Sequence, residues 1–357
     1  MPVRRPGSNV SRSLQIALLF ALGLWLGSSS AGVVAPEPPP PAIDERLSAL
    51  SREKDSYDTL LFGSSRLYRG IDPAVFDAET ARRGRATRSF NLAFAGMKPH
   101  EANALLRRVL SDPPAKLRYV LIEIGDWSPE LSGPLPNQRA QNAERYSARA
   151  LAWHDNTELL SVLRSLWLSD RSLTDQIDLA LSHISHWGVR LLNIGSAARA
   201  ARREVDAKPD PPTSRRGFTP YVRADYLQGF TGGLRQLFVE SRDEYKATLE
   251  AMREPEAADS PLPRYNHAAL AAQIAFVRAA GLEAIYVLPP RGEPTPHLSA
   301  LAAQRALPTL LDFSRPDLDP ELFAIDHRFD DQHVNPRGAK IFSRRLAEEF
   351  VRAVKAR

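Results

Sequence analysis

Two short segments at opposite ends of the chain carry the residue types of acyl-transfer chemistry. Gly63-Ser64-Ser65-Arg66 follows the apolar run Thr59-Leu60-Leu61-Phe62, and Asp330-Asp331-Gln332-His333 lies near the C-terminus. A serine presented just after a buried strand, together with a late Asp-x-x-His, supplies a nucleophile, a base and a carboxylate to orient that base. Gly-Ser-Ser is a common turn and Asp-x-x-His a common loop, so neither segment means much alone. Their order and context give the pair its weight, and at this level either serine fits.

Such groups need elements that bring them together, and the intervening sequence provides them. Short apolar runs at Thr59–Phe62, Thr87–Leu92, Tyr119–Ile124 and Glu283–Leu288 read as strands. Asp44–Asp55, His100–Leu110, Asn266–Ala280 and Pro336–Val354 read as helices, with Gly281 a helix stop and Asn335 a cap ahead of Pro336. Strands alternating with helices imply an α/β, three-layer α/β/α sandwich with a central parallel sheet covered on both faces. In such sheets sites form at the carboxyl ends of the strands, where all the residues of interest fall.

Between Ser128 and Pro263 the character changes. Leu151–Leu168 and Ser172–Ala201 have helical apolar spacing, and the proline- and charge-rich Ala207–Thr219 reads as a loop. The reading is one domain over 44–357 with a mostly helical insertion at about 128–263, a lid or partner surface. There is no internal repeat.

The chain has 357 residues, 43% hydrophobic and 25% charged, enough for a substantial core. Its net charge of +5 comes with no basic arm and no recognition motif, which argues against nucleic acid as a partner. The absence of cysteine excludes disulfides, thiolate zinc sites and a Cys nucleophile. At the N-terminus, Arg4, Arg5 and Arg12 precede the apolar run Ile16–Gly27, followed by the small residues Ser28–Ala31. This is the pattern of a secretory signal, and extended to Ala35 it is about 20 residues, long enough for an uncleaved anchor. Residues 1–35 are therefore read as a signal peptide or membrane anchor, with the arginines cytoplasmic and the remainder exported. Pro36–Pro41 opens a stiff linker reaching residue 43.

The arrangement resembles the SGNH (GDSL-like) hydrolase superfamily, particularly its envelope branch of alginate O-acetyltransferases and the D-alanyl transfer protein of teichoic acid synthesis. The resemblance covers four blocks and the element order from Leu60 onward, but not the insertion. Gly63-Ser64-Ser65 takes the place of the family's Gly-Asp-Ser, which implies Ser65 as nucleophile with Ser64 as its rival. Asn91-Leu92-Ala93-Phe94-Ala95-Gly96 matches the family's Asn-x-x-x-x-Gly, so that Gly96 would supply an oxyanion N–H. The third block departs: Gly125-Asp126-Trp127-Ser128 stands where the family has Gly-x-Asn-Asp, and Trp127 occupies the place of the donating Asn. Phe329–Ala339 resembles the family's Asp-x-x-His-Leu-Asn-x-x-Gly-Ala, making His333 the base and Asp330 its orienting carboxylate.

The resemblance implies a flavodoxin-like SGNH fold; no cofactor is expected, and no metal, since Asp326, His327, Asp330 and His333 are suitable ligand types but no helix holds them on one face. It further implies catalytic Ser65, His333 and Asp330, with Gly96, Asn91, Asp126 and Trp127 around the oxyanion and substrate. The expected function is that of an envelope serine esterase or O-acyltransferase, anchored in the inner membrane with an extracytoplasmic domain. Its substrate would be an acylated glycan or other ester, and its partner a membrane-embedded acyl-transfer protein. The competing expectation is a catalytically weak module of the same fold that binds glycan or scaffolds an envelope complex. Asp331 and His327 are neighbouring decoys, and His183 and His186 lack a third ligand nearby.

Overall fold

The computed structural model describes residues 7–34, 41–128, 156–191, 216–253, 263–294, 298 and 307–356. Five strands form its sheet: β1 (Thr59–Phe62), β2 (Ser89–Asn91), β3 (Tyr119–Glu123), β4 (Glu283–Leu288) and β5 (Leu310–Asp312). All neighbours pair in parallel, in the order β2-β1-β3-β4-β5. This is the flavodoxin-like order, whose direction of winding reverses between β1 and β3 and leaves a crevice at their carboxyl ends. The α/β architecture with a central parallel sheet is therefore the one the sequence pattern requires. Strand β5, only three residues long, has no counterpart among the sequence-based expectations.

The helices are α1 (Gly7–Val34), α2 (Pro41–Arg52), α3 (Ser65–Gly70), α4 (Pro73–Arg82), α5 (Pro99–Leu110), α6 (Asn156–Trp167) and α7 (Leu173–Leu191). They continue with α8 (Gly229–Glu240), α9 (Arg242–Ala251), α10 (Arg264–Ala279), α11 (Pro320–Phe323) and α12 (Pro336–Lys355). Among the described residues no helix is long and apolar enough to cross a membrane. Within α1, the large apolar side chains from Leu14 to Leu26 are exposed.

The chain divides into two compact units, one of residues 1–44, 130–159 and 171–208, the other of residues 45–129, 160–170 and 209–357. The sheet lies wholly in the second unit. The stretch read as one helical insertion, about 128–263, is thus shared between the two units, and 216–253 belongs with the sheet. The expected helices at 151–168 and 172–201 are described only over 156–167 and 173–191.

Strand side chains alternate between faces. Leu61, Tyr119, Leu121, Ile285, Val287 and Leu311 turn to one face, where they meet Leu67 and Ile71 of the α3 region, Phe76 of α4, and Phe342, Leu346 and Phe350 of α12. Toward the other face, Tyr286 of β4 donates to Gln273 of α10 (3.0 Å), which donates to Asn103 of α5 (3.1 Å). The last helix starts where its cap dictates: Asn335 Oδ1 accepts from the N–H groups of Arg337 (2.9 Å) and Gly338 (3.0 Å), and Pro336 fills the first turn.

Segment 216–221 is the least expected part of this unit. The sequence suggests the end of a loop, yet Gly217, Phe218, Thr219 and Tyr221 are shielded from solvent or nearly so. It runs against β2, with Asn91 N–H donating to Arg216 C=O (2.9 Å), and against α3, with Arg69 donating to the Thr219 (3.3 Å) and Pro220 (3.1 Å) carbonyls. Arg216 also pairs with Asp77 of α4. Gly217 has φ of +86° and faces the Asn91 carbonyl with no room for a Cβ. Gly217→Ala is expected to cost about 1–3 kcal/mol, read as a lower midpoint in denaturant unfolding, because strain and collision act at the same atom.

Candidate active site

The turn after β1 is built around a carboxylate. Gly63 leaves the strand, Ser64 caps α3, and Ser65 is the first helical residue. Glu123, the last residue of β3, is buried beside them. Its carboxylate accepts from Ser64 N–H (2.6 Å), Ser64 Oγ (2.9 Å) and Arg66 Nε (2.8 Å), so that it grips the residues on both sides of Ser65. A Cβ at position 63 would lie 2.6 Å from the Glu123 side chain, so the turn needs glycine there. Burial would raise the Glu123 pKa, but the charges of Arg66 and Arg291 and the Ser64 N–H outweigh it and hold the carboxyl below its ordinary value.

This arrangement separates the two serines. Ser64 Oγ is occupied, donating to Glu123 and accepting from Arg66 N–H (3.3 Å). Ser65 Oγ lies 2.7 Å from His333 Nε2. On the far side of the ring, His333 Nδ1 is 2.8 Å and 3.0 Å from the two carboxylate oxygens of Asp330. The Asp330 and His333 side chains are only 4% and 15% exposed. Asp330 Oδ1 also accepts the backbone N–H groups of Gln332 (2.8 Å) and His333 (2.7 Å). Burial favours the neutral acid, yet these bonds and the charge of Arg328 keep the Asp330 pKa below its ordinary value. An ionised, oriented acceptor on Nδ1 directs the lone pair of Nε2 at the serine.

The loop carrying this pair is a tight reversal, with Phe329 N–H donating to His333 C=O (2.9 Å) and Arg328 bridged to Val334. Two arginines pin it through backbone carbonyls. The buried Arg328 guanidinium donates to the carbonyls of Asp330 (3.2 Å), Pro290 (3.4 Å) and Asp331. Arg235, from α8, donates to the carbonyls of Arg328 (3.1 Å) and Phe329 (2.8 Å). Tyr221 completes the wall, stacked on Phe329 at 3.6 Å and edge-on to His333 at 6.1 Å. Burial, then the nearby Asp330 charge, raise its pKa and keep the phenol protonated. The sequence signals for these residues are faint: Arg328 adjoins the Asp-x-x-His block, and Glu123 is a charge inside an otherwise apolar strand.

The remaining expected residues divide. Gly96 sits in the Phe94–Met97 turn at φ +70°, and this turn is tied to the serine turn by Phe94 N–H donating to Gly63 C=O (2.9 Å). Asn91 requires a correction. It is fully buried, its amide donates to the Leu67 (2.9 Å) and Ile71 (3.0 Å) carbonyls, and its oxygen accepts from Ala93 N–H (3.0 Å). Asn91 thus joins β2 to α3 and presents no group to a substrate. Trp127 is 2% exposed, its ring packed edge-on against His100 at 5.1 Å, so most of the indole is covered. Asp126 remains exposed and accepts from Asn266 of α10 (2.8 Å), which also receives the Trp127 N–H (2.8 Å). Of the decoys, Asp331 points to solvent and His327 is engaged with Glu321 C=O (2.8 Å). The Ser65 N–H has no partner among the described residues.

No family model matches the chain, and no curated protein matches it.

Because Glu123 and Asp330 both have depressed pKa values in the folded state, the stability they contribute is complete above the ordinary carboxylate range. It is lost as pH falls through their lower folded values. Glu123→Gln is expected to lose roughly 1.5–3 kcal/mol at neutral pH and to show a weaker dependence on acid pH. Denaturant titrations of both proteins across that range measure the difference.

Proposed function

We propose that this protein is a serine esterase or O-acyltransferase working through a Ser65-acyl intermediate. The observation that carries the reading is the unbroken chain from Ser65 Oγ through His333 (2.7 Å) to Asp330 (2.8 Å), at the carboxyl ends of the strands. As Oγ attacks an ester carbonyl, its proton passes to His333 Nε2, and Asp330 stabilises the resulting imidazolium. The carbonyl oxygen takes up the displaced electron pair and faces the unengaged Ser65 N–H, with Gly96 the second donor implied by the family resemblance. Collapse returns the proton from Nε2 to the departing alkoxide. Water or a sugar hydroxyl then repeats the sequence on the acyl-enzyme, giving hydrolysis or transfer.

The setting proposed is the cell envelope, with acylated glycan as substrate class and a membrane-embedded acyl-transfer protein as partner. Support for export and attachment comes from the arginine-flanked run Ile16–Gly27 and its exposed large side chains. The choice of glycan rests on the SGNH resemblance alone.

A fluorophosphonate probe tests the chemistry. It is expected to label the native protein and Ser64→Ala on Ser65 and to leave Ser65→Ala unlabelled. His333→Ala is expected to slow p-nitrophenyl acetate hydrolysis by on the order of 10²–10⁴-fold. Equal labelling of Ser65→Ala would remove the proposal.

A further inference from the structure

The charges around Glu123 do not balance. Arg66 and Arg291 both lie against this single carboxylate, at 2.8 Å and 3.7 Å. Among the described residues, the exposed Glu293 is the only other acid whose charge reaches Arg291. Arg291 follows β4, and its side chain is 8% exposed, with Nη2 on the Ile124 carbonyl (3.2 Å) and Nε buried without a partner. Burial, and after it the neighbouring Arg66 charge, push its pKa down to about 10. A buried surplus of positive charge is costly unless an anion offsets it.

Arg66 is where that surplus reaches solvent. Its side chain is 21% exposed, and it adjoins Ser65 in the chain. Glu123 takes only its Nε; Nη1 has one long contact with Gln332 (3.4 Å), and Nη2 has no partner among the described residues. The outer edge of the fork is thus open to an anion that presents two oxygens, as carboxylates and phosphates do. We propose that Arg66, backed by Arg291, is an anion-recognition site beside Ser65, and that the preferred ester carries a carboxylate or phosphate close to the reacting carbonyl. The proposal rests on the acyl-transfer reading for its link to Ser65, but the anion site itself stands on the charge arrangement. Neutralising Arg66 leaves Glu123 paired one-to-one with Arg291, so the turn keeps a balanced ion pair.

Calorimetric titration of the full chain with inorganic phosphate and, separately, with succinate tests the site and distinguishes the two anions. Binding of at least one is expected in the native protein, weaker by roughly 10–100-fold in Arg66→Gln and partly restored in Arg66→Lys. Failure of both anions to bind, or equal binding by Arg66→Gln, overturns the proposal. In parallel, the ratio of kcat/KM for p-nitrophenyl hemisuccinate to that for p-nitrophenyl acetate is expected to fall by about tenfold or more in Arg66→Gln. A ratio insensitive to Arg66 overturns the link between the anion site and the ester. Ser65 labelling without anion binding leaves the acyl-transfer reading standing and removes this site; anion binding without labelling does the reverse.

Discussion

One hydrogen bond, between Ser65 Oγ and His333 Nε2, joins residues 268 positions apart in the chain, and most of the sheet-bearing unit serves to hold it. Its length tolerates little error, because a misplacement of about 1 Å between nucleophile and base costs orders of magnitude in rate. Both partners must therefore be fixed before a substrate arrives. The parallel sheet does this coarsely by ending β1 and β3 at the same crevice, where the winding order reverses. Fine placement falls to buried and half-buried polar groups: Glu123 for the serine, Asp330 with Arg328 and Arg235 for the histidine.

These groups share a physical logic. A turn cannot satisfy its own backbone as a helix does, so the buried N–H and C=O groups that it leaves over need partners from elsewhere. Carboxylates serve the N–H groups and guanidiniums the carbonyls, and each charge is kept ionised by the neighbours it organises. Burial penalises Glu123 and Asp330, yet both remain depressed in pKa: the charges of Arg66 and Arg291 hold Glu123 ionised, and the hydrogen bond and charge of His333, with the Gln332 N–H, hold Asp330. The same bonds that stabilise the turns therefore set the charge state that acyl-transfer chemistry would use.

How much of this was legible in the sequence followed from how local each signal is. Strands β1, β3 and β4 are apolar runs bounded by breakers, and α12 declares its start through Asn335 and Pro336, so both could be read directly. Strand β5 has only three residues and α4 a mixed composition, too little pattern to stand out. The Asp-x-x-His spacing encodes a local contact, Asp330 to His333, and so was visible; its meeting with Ser65 needed the order of the strands. Long-range contacts were hidden. Nothing near Glu123 in the chain announces Ser64, and nothing near Arg235 announces Phe329. Asn91 shows the difference between motif and site: motif position reports where a residue lies along the chain, while burial decides what its side chain can reach.

The central claim is that Asp330 orients His333 so that its Nε2 accepts from Ser65. The ¹⁵N and ¹H resonances of the His333 ring test this most directly. The account requires the proton on Nδ1, protected from exchange and hydrogen-bonded, with Nε2 unprotonated, and loss of that protection in Asp330→Asn. A native ring carrying its proton on Nε2, or a ring whose signals ignore the Asp330 substitution, would contradict it.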